Sequence, residues 1–294
     1  MMTIMLAGHS DPRPVSAPNP AADALPVALI TGASTGIGAA TAAHFAARGW
    51  RVFATARTPA RVVAGPNVTP LALDVRDPDS VRAAVAGVLA DAGRVDALVN
   101  NAGYAVVGGL EETSAEQLHA VLDTNVVGAH RVTAAVLPAM RAAGRGRVVN
   151  VSSVVGRVPS PFMGAYAARK HALEGWSESL DHEVRPFGVR VALVEPGFTR
   201  TAIAQNQQLA DALVPAYGDA RDRVIGVITA GVAGGATPEG VAAVIHEAAT
   251  ARHPRLRYPA GRDAAVLDAL RRLLPERLFS RALRRQFALD VAGS

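Results

Sequence analysis

Tyr166 and Lys170 stand four residues apart in a stretch whose composition predicts a helix over residues 165–185, so both side chains share one helix face. An ammonium beside a phenol stabilises the phenolate and lowers an ionisation that otherwise falls near about 10. A tyrosine tuned in this way can give and take a proton near neutral pH. Lys170 is the chain's one lysine, against 29 arginines. Arginine supplies positive charge everywhere else, so this position calls for a compact ammonium. Ser153 stands 13 residues before Tyr166, just after a β-branched run predicted as a strand over 147–152. That is the carboxyl edge where open α/β sheets bind ligands.

A second constellation is the turn Thr31-Gly32-Ala33-Ser34-Thr35-Gly36-Ile37-Gly38, set between an apolar run and an Ala-rich stretch. Backbone N–H groups and a helix N-terminus in such a turn can hold a pyrophosphate, and glycine lets the backbone approach it. Three glycines also make plain tight turns, so placement decides. After the first strand of an alternating series they mark a dinucleotide site. About 20 residues further on, a carboxylate ending the second strand would bind the ribose hydroxyls of NAD. Here the residues are Thr55-Ala56-Arg57-Thr58, with no acid and one arginine, which suits a 2′-phosphate. Weighed against Arg57 being one more solvated arginine, the charge favours NADP(H) over NAD(H).

These groups need a scaffold, and the chain supplies alternating strand-like and helix-like segments. Strands are expected over 27–31, 51–56, 71–74, 96–100, 147–152, 190–194 and 256–258. Helices are expected over 37–48, from Asp77-Pro78 to about 92, from a capping box of Thr113 and Glu116, over about 126–143, over 165–185, and from Thr237-Pro238-Glu239. Apolar strands separated by helices mean repeated βαβ units. The expected fold is a Rossmann-type doubly wound parallel sheet of about seven strands with helices on both faces. Residues 1–24 read as a flexible leader, 25–259 as the nucleotide-binding catalytic domain, and 260–294 as a C-terminal helical extension.

Composition narrows the class. Half of the 294 residues are hydrophobic and 19% are charged, enough for a sizeable core and unlike a disordered chain. The absence of cysteine removes disulfides, thiolate metal sites and cysteine nucleophiles. The eight histidines show no metal-ligand spacing. The net charge of +5 is uneven, with a local +7 between Arg252 and Arg285. A basic tail on a near-neutral body does not read as a nucleic-acid-binding surface. The first ten residues lack the positive region of an export signal, and the long uncharged run 24–47 is broken by proline and glycine. A cytoplasmic location is expected.

Together the motifs resemble the classical short-chain dehydrogenase/reductase family. The matching pieces are the glycine turn, Asp74-Val75, Asn100-Asn101-Ala102-Gly103, Asn125, Ser153, Tyr166 with Lys170, and Pro196-Gly197 with Thr201. Seven loose motifs in the right order are specific together. The resemblance implies that Tyr166 exchanges a proton with the alcohol or ketone oxygen, which Ser153 hydrogen-bonds. Lys170 would hold the nicotinamide ribose, and Asn125 would order a water leading to it. Gly32, Ser34, Thr35, Gly36, Ile37, Gly38 and Arg57 would bind the cofactor. So would Asp74 and Val75 at the adenine, Asn101, Ala102 and Gly103 at the riboses, and Pro196, Gly197, Thr199 and Thr201 near the nicotinamide. It implies a homodimer or homotetramer. Arg57 and the long extension look like the hydroxysteroid and retinol dehydrogenase branch. One departure stands out: the residue before the lysine, commonly serine in the family, is Arg169, pointing either to the cleft or to a subunit interface.

For the substrate, Ser153, Val155, Met163, Tyr166 and Phe198 are the candidate contacts, with Tyr104 and Val107 on the far wall. Ile203, Leu209, Leu213, Val214, Tyr217, Val224 and Ile225 fall where the family has its mobile lid. This apolar set predicts an apolar ketone or aldehyde and its alcohol (steroid-, retinoid- or polyketide-like) rather than a sugar phosphate or organic acid. A catalytically idle dinucleotide sensor or scaffold on the same fold is the competing reading, and it predicts a broken set where this chain has Asn125, Ser153, Tyr166 and Lys170 intact. In the extension, leucine and phenylalanine stripes run beside arginines. We favour their covering the core or the substrate mouth over attachment to a membrane surface.

Overall fold

In a computed structural model, which describes residues 25–201 and 208–289, the apolar runs pair as parallel strands. Val27–Ile30 (β1), Arg51–Ala56 (β2), Val68–Ala72 (β3), Ala97–Asn100 (β4), Gly146–Val151 (β6), Val189–Pro196 (β7) and Arg257–Ala260 (β9) form one seven-stranded sheet. Its order is β3-β2-β1-β4-β6-β7-β9, with every neighbouring pair parallel. β1 and β4 are buried along their whole length. They therefore read as unbroken apolar runs, because helices cover both faces. The expected doubly wound architecture is the one observed.

On one face Gly36–Ala46 (α1) packs with Pro238–Thr250 (α7), through Ala42, Phe45, Val241 and Ile245. The other face carries Pro78–Ala92 (α2), Gly128–Ala142 (α4) and Gly164–Val184 (α5), through residues such as Val81, Val88, Val136, Met140 and Leu180. Each fully buried valine or leucine contributes about 1.5–3 kcal/mol, and the sheet centre is made of them. Because the chain leaves β1 for α1 on one face and leaves β4 for α4 on the other, the carboxyl ends of β1 and β4 open a crevice where the strand order reverses.

Several local expectations shift. The third strand was expected at 71–74 and lies at Val68–Ala72, leaving Asp74 in the loop beyond it. The helix expected from Thr113 begins one residue later: Ser114 accepts the Gln117 N–H at 3.1 Å, and Ala115–Leu122 (α3) follows. Thr113 instead donates to the Gly109 carbonyl. The helix expected from residue 126 is continuous with α3 through a π-helical turn, Asp123–Val127, that contains Asn125. A two-stranded parallel ribbon of Val106–Val107 (β5) and Gln208–Leu209 (β8), and the helix Gly218–Gly234 (α6), were not foreseen. The C-terminal segment contains Arg262–Leu273 (α8) and Glu276–Gln286 (α9). The leader at 1–24, the lid position Ile203 and residues 290–294 lie outside the described residues. Among those described, no helix is long and apolar enough to cross a membrane.

Candidate active site

The crevice is built by two loops locked together. Thr31 Oγ1, at the end of β1, accepts the N–H groups of Asn101 and Ala102, both at 3.0 Å. Asn101 Nδ2 returns hydrogen bonds to the carbonyls of Thr31 and Gly32. The glycines permit this approach. A Cβ on Gly32 would lie 2.8 Å from Ala102 Cα, and one on Gly38 would lie 2.3 Å from the Gly32 carbonyl. Gly32 and Gly38 thus serve loop against loop, a use the glycine pattern alone did not reveal.

The remaining part of the turn is suited to an anion. Thr35 caps α1 without a side-chain hydrogen bond, so the first-turn N–H groups are not capped by it. Gly36, at φ +57°, faces Thr201, whose side chain a Cβ would meet at 3.4 Å. This cradle fits a dinucleotide pyrophosphate. Beyond β2, Arg57 is exposed, and its charge helps to hold Asp74 ionised. The hydrogen bond from Arg76 is the larger cause of the lowered Asp74 pKa. The Val75 side chain is buried in the core against Gly128.

α5 carries the central pair. Lys170 is 7% exposed and donates to the Val151 carbonyl at 2.6 Å, two residues ahead of Ser153. Burial, reinforced by neighbouring Arg169 and opposed by Glu174, holds the Lys170 amine well below its ordinary pKa. Ser153 Oγ accepts the Val155 N–H and donates to the Pro196 carbonyl at 3.3 Å, joining the ends of β6 and β7. Underneath, Asn100 donates to Asn150 and Thr133, and Asn150 donates to Ser177 on α5, a buried polar ladder that fixes helix against sheet.

Asn125 does not present its amide to the cleft. Its Oδ1 accepts the Tyr104 N–H, and its Nδ2 donates to the carbonyls of Tyr104 and Val121. The π turn aims that side chain at the loop after β4, a role for π-bulges at functional sites.

Ser153, Val155, Met163, Tyr166, Lys170 and Phe198 line a single, mostly apolar pocket of about 180 Å³. Its walls depart from expectation. Tyr104 packs beside β5 and α3, and Val107 is buried, so neither lines the cavity. Leu209 and Leu213 are exposed, while Ile228 and Val232 of α6 face the pocket. Leu267, Leu283 and Phe287 complete it from the extension. Sequence reasoning also missed Asp263, which accepts the Phe198 N–H at 2.9 Å and fills the space left by Gly197. A single acid in a first helical turn leaves no periodic signal to find it by. Arg169 points into the cleft: it lines this pocket with its guanidinium carbon 4.2 Å from the Tyr166 ring centre.

A doubly wound sheet with a glycine cradle at its switch point, and a tyrosine and lysine on one helix face beside it, defines a dinucleotide-dependent oxidoreductase acting on CH–OH groups. The short chain dehydrogenase family model matches residues 26–212, and the chain belongs to that family. It is 35% identical to a 3-ketodihydrosphingosine reductase of Bacteroides thetaiotaomicron, over 90% of this chain and 98% of that one. The crystal structure of a short-chain dehydrogenase from Streptomyces avermitilis superposes with a TM-score of 0.77 and 37% identity, covering 90% of this chain and 97% of the other. Two further solved relatives carry different dinucleotides. A metagenomic short-chain oxidoreductase in complex with NADP has 32% identity, TM-score 0.63, and covers 80% of this chain and 96% of its own. A Burkholderia phymatum enzyme in complex with NAD has 29% identity, TM-score 0.74, and covers 87% and 95%.

Proposed function

We propose that the protein is an NADP(H)-dependent reductase/dehydrogenase that interconverts an apolar ketone or aldehyde with its alcohol, in the manner of steroid-, retinoid- or polyketide-like substrates. The observation that carries this reading is the meeting of Ser153, Tyr166 and Lys170 in one apolar pocket, at the carboxyl edge of the sheet. The bound nicotinamide supplies or accepts the hydride. Tyr166 gives its phenolic proton to the carbonyl oxygen in reduction and takes it back in oxidation. Ser153, already a donor to a carbonyl, turns that donor to the substrate oxygen. Lys170, oriented by the Val151 carbonyl, stabilises the phenolate and holds the nicotinamide ribose. Asn125 fixes the peptide of Tyr104 and with it the loop after β4.

Arg57 selects the phosphorylated cofactor, because nothing acidic ends β2 and its charge already reaches Asp74 at the same edge. The apolar walls from Val155, Met163, Phe198 and the extension suit a substrate with a large hydrocarbon body, the class named in the Bacteroides relative. The test is a panel of 2-decanone, a decalone and a ketosteroid, with the matching alcohols, scanned by NADPH and NADH absorbance. NADPH-dependent turnover of the apolar members is expected. Turnover confined to polar or charged carbonyl compounds would overturn the substrate class.

A further inference from the structure

Arg169 lies directly beside the proton-transfer group. It is 3% exposed, and its guanidinium stacks on the Tyr166 ring at 4.2 Å. From the next position on α5, Lys170 Nζ lies 5.8 Å from the centre of the same ring. Gly103 makes this possible, since a Cβ there would come within 2.9 Å of Arg169 Nη1. A glycine and an arginine on different elements therefore fit one another.

No carboxylate among the described residues pairs with this guanidinium, and its Nε has no hydrogen-bond partner. The charged and titratable groups around it are few. Glu174, one turn further along α5, is held by Arg257 at 2.9 Å. Tyr104, from the loop after β4, is a phenol whose ionisation burial pushes up. Asp263, on the wall formed by the extension, is engaged by the Phe198 N–H. A buried cation without a counter-ion costs free energy unless a negative charge develops nearby. The nearest group that develops one in the proposed reaction is Tyr166, and a cation within about 4–6 Å favours such a charge.

We infer that Arg169 is a positioning residue for proton transfer: its permanent charge, stacked on Tyr166, holds the phenolate jointly with Lys170. This rests on the reading of Tyr166 as the proton-transfer group. In alcohol oxidation the substrate O–H bond breaks as the phenol O–H bond forms, and the hydride leaves for the oxidised dinucleotide. Tyr166 then passes its proton toward solvent along the cleft that Lys170 also lines. Arginine cannot take part in that transfer, because it does not deprotonate. Its charge on the phenolate does not depend on the state of the Lys170 amine, which burial first and Arg169 second push toward the neutral form.

The test compares wild type with Arg169→Ser, Arg169→Met and Arg169→Lys in NADP⁺-dependent oxidation of the best alcohol from the panel. A substrate-free readout runs in parallel: tyrosinate absorbance of each NADP⁺-loaded protein, minus that of the same protein carrying Tyr166→Phe. In Arg169→Ser the ionisation governing kcat/KM should move up by about one unit. That gives roughly a tenfold loss on the acid limb, with the alkaline plateau kept. Arg169→Lys, whose amine the same burial would push toward neutrality, should restore the profile only in part. Arg169→Met keeps the packing of the side-chain stem and replaces the serine variant if that one melts early. A loss equal at every pH, or an unmoved tyrosinate titration, overturns the inference. Should Tyr166→Phe alone retain turnover, the parent reading fails. Should it abolish turnover while the arginine variants leave the profile unmoved, only the role of Arg169 falls.

Discussion

Tyr166, Ser153 and Lys170 meet in one pocket because each sits at the end or on the face of a rigid element, and their spacing already placed them there. Tyr166→Phe keeps the ring under Arg169 and the turn around Gly32 untouched, so fold and NADPH affinity should survive. Turnover should drop by about 10²–10⁴-fold, the usual cost of losing a general acid–base. Lys170→Arg is a sharper companion, because a guanidinium cannot fill a compact, buried site that ends on the Val151 carbonyl. Near-normal turnover in the phenylalanine variant would sink the mechanism. At the opposite end of the crevice, Arg57→Asp should weaken NADPH binding by about 2 kcal/mol or more and NADH binding much less, measured by fluorescence titration. Equal wild-type affinity for both dinucleotides would remove Arg57 from the selection. The residues that spacing could reach were those tied to a strand end or a helix face. Asn125 was found by motif order, yet its aim was not legible: an extra residue in a π turn leaves the apolar periodicity of α3 and α4 intact. Arg169 was legible as an oddity, and only packing against Gly103 decided its direction.

The elements were readable where burial on both faces forces unbroken apolar runs, as in β1 and β4, or where capping chemistry is local, as at Asp77-Pro78. β5 and β8 escaped because two-residue strands are set by tertiary contact alone. α6 escaped because its apolar positions serve a pocket rather than a sheet. The helix that carries Tyr166 and Lys170 is anchored at its far end by Asp181, which accepts from Arg190 Nε and from the Val191 N–H, both at 2.9 Å, and pairs with Arg185. Burial works against the Asp181 charge. The hydrogen bonds from Arg190, Val191 and Arg185 outweigh it and bring the carboxyl down from 3.8 to about 2. A carboxyl depressed in the folded state contributes stability above its unfolded value, and that contribution fades as pH falls toward the folded one. Asp181→Asn should therefore lower stability at neutral pH by about 1–3 kcal/mol. In urea titrations the gap between wild type and variant should narrow as pH drops from about 5 to about 2. A gap constant over that range would show that the clamp acts through shape and not charge.

Across the whole molecule, the extension closes what the sheet begins. Leu267, Leu283 and Phe287 face the pocket, Asp263 holds the Phe198 N–H at the end of β7, and Arg223 of α6 donates to the Ala288 carbonyl. Helix α6 and the extension thus form one roof over the crevice, with Leu270, Leu273 and Leu278 on its outer, exposed side. This roof should set the size of substrate rather than the chemistry. Phe287, almost fully buried, presents an aromatic wall that a long hydrocarbon body would press against. Losing the burial of one such ring costs about 1.5–3 kcal/mol, which corresponds to roughly a 10- to 100-fold loss of affinity. Phe287→Ala should accordingly raise KM for 2-decanone or a ketosteroid by about that factor. The NADPH dissociation constant should stay where it is, since the glycine turn and Arg57 lie at the other end of the crevice. A short ketone that does not reach the roof should lose far less. Steady-state kinetics on long and short ketones, beside an NADPH titration of the same variant, decides the matter. An equal loss on both ketones, or a parallel loss of NADPH affinity, would mean that the extension braces the cofactor cleft and does not measure the substrate.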